Sequence, residues 1–219
     1  MPGHADESAE PSGDRAHPSE PHEDSHAARL NRLRAGVLGA NDGIVSTSGI
    51  VIGVAAASPT NTAAIFTAGI AGLVAGALSM AAGEYVSVST QRDTERALLA
   101  KEHHELASEP AAELEELTQL YQAKGLDRGL AEQVAVQLTD HDALAAHAEV
   151  ELNLDPQDLT NPWQAAFASM LAFTIGAAGP LLSIVLLAPN LRIPLTLVAG
   201  VLVLAGTGWL SARLGDAPP

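Results

Sequence analysis

The sequence predicts an all-α integral membrane protein with about four transmembrane helices and a cytosolic three-helix domain. Two observations predict it, the long apolar stretches and the separation of charge from them. The stretches are residues 35–58, 61–90, 163–191 and 193–212. Each has 20 or more residues, and roughly 20 apolar residues cross the core of a bilayer. Together they contain only two charged residues, Asp42 and Glu84, although the whole chain carries a net charge of −15.

This distribution divides the chain into four segments. Residues 1–28 contain seven acidic residues and four prolines without an apolar cluster, so we expect a disordered acidic tail. Residues 29–90 contain transmembrane helices 1 and 2, residues 91–160 form the cytosolic domain, and residues 161–219 contain transmembrane helices 3 and 4. For the histidines of the tail, a solvated segment is a simpler explanation than weak metal binding. These histidines are His4, His17, His22 and His26.

Basic residues indicate the orientation in the membrane. Three arginines precede the first apolar stretch and two follow the second, whereas the loop at residues 58–61 is uncharged. Positive residues favour the cytoplasmic ends of transmembrane helices. We therefore expect a multi-pass protein of the cell (inner) membrane, with the N-terminus and residues 91–160 in the cytosol. Arg192, in the predicted outer turn, is an exception to the rule.

The cytosolic domain has a different composition. Residues 91–160 contain 16 acidic and five basic residues, with Leu, Ala and Val at helical spacing. Pro110 starts a second helix and Gly125 ends it. Asp127 caps a third helix, which runs to about residue 152. The pattern predicts helices of about 15, 12 and 25 residues, the first of them continuous with transmembrane helix 2.

The two charged residues of the apolar stretches are candidate functional residues, because a charge in a bilayer costs at least ~2.5–3.5 kcal/mol. Asp42 lies in the first helix and Glu84 in the second, where Met80 shares a helix face with Glu84. A thioether beside carboxylates suits a borderline transition metal better than magnesium or calcium. The pattern predicts a function that involves a transition-metal ion for Asp42, Met80 and Glu84. The alternative is that both acids are solvated near the cytoplasmic headgroups.

Glycines recur four residues apart in the first two apolar stretches. The pairs are Gly39 and Gly43, Gly49 and Gly53, and Gly72 and Gly76. Such spacing lets helix backbones approach closely. Three pairs in two helices therefore predict tight packing, for which a dimer axis is one location.

Ionisable residues recur in pairs in the cytosolic domain. The pairs that share a helix face are Glu102 and Glu105, Glu113 and Glu116, and His147 and Glu151. Three helices that each present such a pair can surround cations, as in carboxylate-lined bundles. By spacing alone, however, a solvated acidic surface is the commoner explanation. For His141 and Asp142, a further pair, a surface role is also simpler.

Several functional classes are excluded or disfavoured. Lys and Arg do not cluster, so nucleic acid is not an expected partner. The chain has no cysteine, which excludes thiolate metal sites. It shows no nucleophile arrangement and no Gly-rich phosphate loop, so we expect neither an enzyme nor an organic cofactor. A di-iron ferroxidase is the least favoured, because residues 102–105 have Glu instead of His at the fourth position.

Three segments of the chain resemble the vacuolar iron transporter family. They are residues 33–47 (LRAGVLGANDGIVST), 78–87 (LSMAAGEYVS) and 89–95 (STQRDTE). The glutamates of the cytosolic domain and residues 141–144 follow in the family's order. The resemblance is specific, because a long motif in each of two membrane helices is joined to a correctly spaced acidic domain.

The resemblance implies a proton-coupled exporter of divalent metal from the cytosol, working as a homodimer in the lipid bilayer. The ions bound and transported would be Fe²⁺ and/or Mn²⁺. It implies that Asp42 and Met80 line the path, with Glu84 in the same motif. The glutamates that it implies for metal collection are Glu102, Glu105, Glu113 and Glu116.

Two departures from the family pattern are visible. Eukaryotic members have methionine in the third cytosolic helix, where we expect His147 and Glu151 to replace it. The family has five membrane helices, whereas this chain, which looks like a bacterial-type member, shows four before Pro219. A naturally short protein and a truncated sequence both fit this pattern. A membrane-anchored iron or manganese buffer or sensor without transport is the alternative function.

Overall fold

The computed structural model describes residues 23–214, and every regular element in that range is helical. The elements are α1 (Glu23–Ala57), α2 (Thr62–Ser108), α3 (Pro110–Ala123), α4 (Arg128–His147), a π-helical segment (Ala148–Leu152), α5 (Pro162–Leu186) and α6 (Pro189–Leu214). Four of the helices are long and apolar enough to cross a membrane, namely α1 from Ala35, α2, α5, and α6 as far as Trp209. The predicted all-α membrane fold is confirmed.

The start of α1 differs from the expectation. The helix begins at Glu23, so residues 23–28, which the composition assigns to a disordered tail, are helical. Residues 23–35 contain no Gly or Pro that would interrupt the helix preceding the first apolar stretch. Residues 1–22, with three of the four histidines of the tail, lie outside the described residues.

Helix α2 is continuous over 47 residues and is about 70 Å long at 1.5 Å per residue. About 20 residues are enough to cross a bilayer, so its second half projects beyond the membrane, as the sequence predicts. Asn61 caps its start by accepting a hydrogen bond of 3.0 Å from the N–H of Ala64. Its end lies next to Pro110, which begins α3.

The closest approach between helices is that of α1 and α5. A Cβ added to Gly43 would overlap the carbonyl of Phe173 and lie 2.9 Å from the nitrogen of Ala177. A Cβ added to Gly176 would overlap the carbonyl of Ala40. The two backbones therefore touch, which a side chain at either glycine would prevent.

The other predicted glycines fall into two groups. The side chain of Ile50 of α1 packs against Gly72, and the ring of Phe173 packs against Gly76. At Gly49 and Gly53, a Cβ would meet no described atom within 4 Å. Tight packing within the chain is therefore found at the first and third glycine pairs, but not at the second.

Arg192, the exception to the charge rule, is 6% exposed. Its Nε donates to the carbonyl of Leu187 at 3.1 Å, and its Nη2 donates to Oγ1 of Thr62 at 2.9 Å. The last carbonyls of a helix lack intrahelical donors, and a cation stabilises that end. Arg192 of α6 thus ties the end of α5 to the start of α2, which explains a basic residue in this turn.

Helices α3 and α4 form a hairpin within residues 91–160, which we call the acidic domain. Gly125, at φ +104°, follows the end of α3. Asp127 caps α4 by accepting hydrogen bonds of 3.0 and 3.3 Å from two backbone N–H groups. Leu117 and Ala135 lie in the small core between the two helices. Both predicted boundary residues are confirmed.

The last helix of the acidic domain is not continuous, so the single helix predicted to residue 152 is wrong in this respect. Asp142 has φ −160° and ψ 95°, and its carboxylate accepts a hydrogen bond of 3.0 Å from the N–H of Ala145. Aspartate competes in this way with helical hydrogen bonds and caps a new turn. After His147 the chain is π-helical until Asn153, at φ 52°. Asp142 is therefore a helix cap, in line with the simpler interpretation of the His141–Asp142 pair.

We expect Gly43→Ala and Gly176→Ala to lower the thermal unfolding temperature of the purified protein in detergent. An added methyl group would overlap the facing backbone, and overpacking costs about 1–3 kcal/mol. Gly206→Ala is the matched control, because a Cβ there would meet no described atom within 4 Å. Size-exclusion chromatography after heating measures the effect. Equal unfolding temperatures for the three variants would contradict the close contact of α1 with α5.

Candidate metal centre

Three carboxylates of the acidic domain converge on the imidazole of His147. Its Nδ1 lies 3.0 Å from Oε1 of Glu102, 3.7 Å from Oε2 of Glu113 and 3.7 Å from Oε2 of Glu151. Glu102 comes from α2, Glu113 from α3, His147 from α4 and Glu151 from the π-helical segment. We call these four residues the His147 cluster. Because each lies on a different element, the cluster exists only in the folded acidic domain.

Glu102, Glu113 and His147 are buried, whereas Glu151 is exposed, and part of the hydrogen-bonding capacity of the cluster is unused. The side chain of His147 is 0% exposed and that of Glu102 is 3% exposed. Nδ1 of His147 and Oε1 of Glu102 are close enough for an ion pair, at 3.0 Å, but within the described part of the chain neither these two atoms nor Nε2 of His147 makes a hydrogen bond of acceptable geometry. A buried polar atom without a partner costs about 1–3 kcal/mol. Three such atoms in one place therefore indicate a ligand that the chain itself does not supply.

A divalent cation has the chemistry to satisfy these atoms. Two ligand atoms that each lie about 2.1 Å from one ion, at a right angle to each other, are about 3 Å apart. Oε1 of Glu102 and Nδ1 of His147 have this separation, 3.0 Å. Carboxylates suit Mn²⁺, and a set that includes imidazole suits Fe²⁺. The ligand atoms of Glu102, His147 and Glu151 lie within 4.8 Å of one another. The arrangement is thus a candidate site for one transition-metal ion.

The other two predicted glutamates lie beside the cluster. Glu105 accepts hydrogen bonds of 2.7 and 2.6 Å from Nζ of Lys101, and Glu116 is exposed. In the α2 pair, Glu102 approaches His147, and in the α3 pair, Glu113 does. The second member of each pair, Glu105 or Glu116, lies outside the four-residue cluster. The third predicted pair contributes both of its members.

Burial raises the pKa of Glu102, in the projecting half of α2, to about 7, and the charges of four neighbouring glutamates, led by Glu151, add to the shift. Burial also raises the pKa of Glu113, as does the charge of Glu116. Metal binding requires deprotonated carboxylates. Protons and metal ions therefore compete for the same two side chains.

Glu115 shows how different a neighbouring carboxylate can be. Both terminal nitrogens of Arg128 donate to it, at 2.9 and 2.8 Å. These hydrogen bonds hold the pKa of Glu115 at about 2. Its charge is already compensated, and it joins α3 to the start of α4. Glu113 and Glu115 are both acidic residues of α3, but only the folded structure shows that Glu115 forms an ion pair with Arg128 whereas Glu113 approaches His147.

The predicted residues of the membrane path stand on two helices. Met80 of α2 and Met170 of α5 both pack against the apolar cluster formed by Ala77, Phe173 and Ala177. Asp42 of α1 is exposed and accepts a hydrogen bond of 2.7 Å from Ser46. Soft and acidic side chains therefore both occur among the membrane helices.

Glu84 lies beside an aromatic pair. The ring centroids of Tyr85 and Trp163 are 4.8 Å apart, and such rings are enriched at membrane–water interfaces. Glu84 itself is half-buried, so the pair indicates that it lies near the interface. No hydrogen bond or ion pair of the described residues joins Asp42 to Glu84.

Two residues were not identified from the sequence. Glu95 is 6% exposed and accepts two hydrogen bonds of 3.1 Å from Thr160. The sequence could have pointed to Glu95 as a buried residue, because Glu95 precedes Glu102 by seven residues and so lies on the same face of α2. Met170 gave no such signal, since a single methionine in an apolar helix is usually a core residue.

The raised pKa of Glu102 predicts a pH-dependent stability of the metal-free protein. The folded state holds this proton up to about pH 7, and the unfolded chain holds it only to about pH 4.5. The stability contributed by Glu102 is full below pH 4.5 and is lost as the pH rises to about 7. In EDTA, we expect Glu102→Gln to lose less thermal stability than the wild type across this range.

The matched control is Glu132→Gln, an exposed acid of α4, which should keep the wild-type profile. Thermal unfolding at a series of pH values measures both variants. Parallel profiles for the wild type and Glu102→Gln would contradict the proton affinity of this site.

Comparison with known proteins reveals extensive similarity. A model of the VIT family matches residues 33–219. A vacuolar iron transporter of Acanthamoeba castellanii is 47% identical over 150 residues, which cover 68% of this chain and 54% of that relative. Vacuolar iron transporter homolog 3 of Arabidopsis thaliana is 36% identical over 194 residues, covering 88% of this chain and 73% of the relative.

VIT-like transporter 1a of Glycine max is 32% identical over 191 residues, covering 87% of this chain and 74% of the relative. The chain spans about half the length of the Acanthamoeba relative. The region that matches the family model contains all four candidate membrane spans and the whole acidic domain. This chain belongs to the VIT family.

Proposed function

We propose that the chain transports a divalent metal ion across a membrane, with ferrous iron and manganese as substrates. The observation that carries the proposal is the His147 cluster, whose buried nitrogens and carboxylate oxygen lack hydrogen-bond partners within the described residues. Relatives named as vacuolar iron transporters support iron. The carboxylates support manganese.

We propose export from the cytosol as the direction. The acidic domain follows arginines that favour the cytoplasmic side, which supports an orientation with this domain in the cytosol of a cell (inner) membrane. Glu102 and Glu84 are 18 positions apart on α2, or about 27 Å along the axis. A cluster at this distance collects the ion before it reaches Glu84, Met80 and Asp42.

Proton antiport is the coupling that the cluster favours. Glu102 and Glu113 hold protons more strongly than ordinary carboxylates, because burial raises the pKa of each. An arriving metal ion therefore displaces protons. In the membrane, Asp42 and Glu84 are the acids that we assign to exchange of a cation for protons.

We further propose that the protein is a homodimer. Gly49 and Gly53 are exposed on α1, and a Cβ at either would meet no described atom within 4 Å. Small residues four apart allow another helix to pack closely in a membrane. A second copy of α1 supplies such a helix.

A membrane-anchored metal buffer or sensor is the second candidate. The His147 cluster lies wholly outside the apolar stretches, so it needs no transport path to bind metal. Binding alone is therefore compatible with both functions. Metal flux distinguishes them, because a buffer binds metal without moving it across a membrane.

We expect His147→Ala to weaken Mn²⁺ binding by the detergent-solubilised protein at least about tenfold, since even residues that only support a metal ligand act at this level. His104→Ala is the matched control, because this histidine is exposed and outside the cluster. Electron paramagnetic resonance of free Mn²⁺ at pH 7.5 measures the affinity. Equal affinity in both variants would exclude His147 as a ligand.

We expect Asp42→Ala to reduce Fe²⁺ flux into anaerobic proteoliposomes to background, because no other acid lies in the first apolar stretch. Asp93→Ala, an exposed acid beyond the second stretch, should retain flux. Unaltered flux in Asp42→Ala rejects its role in the path. A wild-type protein that binds Mn²⁺ but shows no flux would favour the buffer.

A further inference from the structure

Glu95 makes a buried polar contact in the projecting half of α2. Its Oε2 accepts hydrogen bonds from the backbone N–H and the hydroxyl of Thr160, each 3.1 Å long. Its Oε1 accepts one of 2.9 Å from the side chain of Gln91. Hydrogen bonds to a carboxylate are stronger than those between neutral groups. We call the contact between residues 65 positions apart the Glu95–Thr160 clamp.

The clamp lies between the His147 cluster and the membrane helices. Glu95 and Glu102 are seven residues apart, so they share one face of α2 and lie about 10 Å apart along its axis. Both are buried. Glu102 contacts the cluster, whereas Glu95 contacts the chain two residues before α5. One helix face therefore carries both the metal cluster and the attachment point of α5.

A short connection along the chain also joins the His147 cluster to the start of α5. Only residues 153–161 separate the π-helical segment from α5. Asn161 already caps α5 by accepting hydrogen bonds of 3.1 and 3.2 Å from two backbone N–H groups. Helix α5 therefore does not need Glu95 in order to begin. What the clamp adds is a fixed position for the α5 end of the connection on α2.

The position of α5 matters for the membrane path. Phe173 of α5 contacts the backbone at Gly43 of α1, next to Asp42. The ring of Phe173 fills the space beside Gly76 of α2, and Met80 packs against the apolar cluster that Phe173 forms with Ala77 and Ala177. Because these contacts are close, a shift at the start of α5 changes the packing beside Asp42 and Met80.

From this geometry we infer that Glu95 is a positioning residue that transmits metal occupancy of the His147 cluster to α5. The inference rests on the proposed transport function. Metal fixes Glu151, at the first end of the connection, against Glu102. The clamp fixes the second end on the same helix face. A movement of Glu151 therefore displaces the start of α5, because both ends of the nine-residue connection are held on α2.

Hydrogen–deuterium exchange and flux on the full chain test the inference, with Mn²⁺ as the probe. In the wild type, Mn²⁺ should slow exchange in the cluster, in residues 153–161 and in the first turns of α5. In Glu95→Ala and Thr160→Val, the slowing should stop at the cluster. The maximal transport rate should fall between about twofold and thirtyfold, the range in which coupling residues act. The Mn²⁺ affinity and the half-saturating metal concentration should not change.

Three further variants make the comparison specific. Thr160→Ser retains the hydroxyl donor and should restore both the rate and the exchange pattern. Thr94→Val removes an exposed hydroxyl that bonds only to its own helix and should behave as the wild type. Thr160→Val retains the backbone donor, so it remains a test if Glu95→Ala fails to fold.

Two results would overturn the inference. One is an Mn²⁺ effect on α5 that persists unchanged in Glu95→Ala and Thr160→Val. The other is a parallel loss of Mn²⁺ affinity and rate, which would make Glu95 only a structural support of the cluster. A wild-type protein without flux defeats the proposed transport function, while the exchange pattern still decides whether the clamp couples the cluster to α5.

Discussion

Repulsion among buried carboxylates is the constraint on which the acidic domain depends. Three glutamates lie within 3.7 Å of a single imidazole nitrogen that is fully buried. Like charges in a poorly solvated place disfavour ionisation, and the raised pKa of Glu102, due first to burial, reflects this. Removing the charge requires a proton or a cation. A proton and a cation would compete for the same carboxylates.

Helix α2 connects this site to the membrane. It carries Met80 and Glu84 in its apolar half and Glu102 in its projecting half, without interruption over 47 residues. A continuous hydrogen-bonded helix is stiff compared with a loop, so the positions of the cluster and the path are related by a fixed length. The acidic domain returns to α2 through Glu95 before the chain enters the membrane again at α5. The His147 cluster and the residues proposed for the membrane path thus share one scaffold.

The membrane helices are held by contacts that do not rely on hydrophobicity, which has no driving force between helices in lipid. Gly43 and Gly176 allow the backbones of α1 and α5 to touch. Hydrogen bonds between helices also fix their relative orientation. The hydroxyl of Thr207 of α6, for example, donates to Oδ1 of Asn41 of α1 at 2.8 Å. Arg192 ties the ends of the helices on the side opposite the acidic domain. Asp42 lies in this framework next to the closest helix contact.

The sequence by itself determined the helical class, the four apolar spans, the continuity of α2 and the turn at Gly125, because hydrophobic length and local capping are properties of neighbouring residues. It also supplied His147 and its acidic partners as candidates, through helical spacing. Only the tertiary structure decided that Glu102 and Glu113 meet His147. It alone revealed the break at Asp142 and the Glu95–Thr160 contact. These depend on how separate elements pack, and spacing along one helix carries no information about which side chain a different helix will reach.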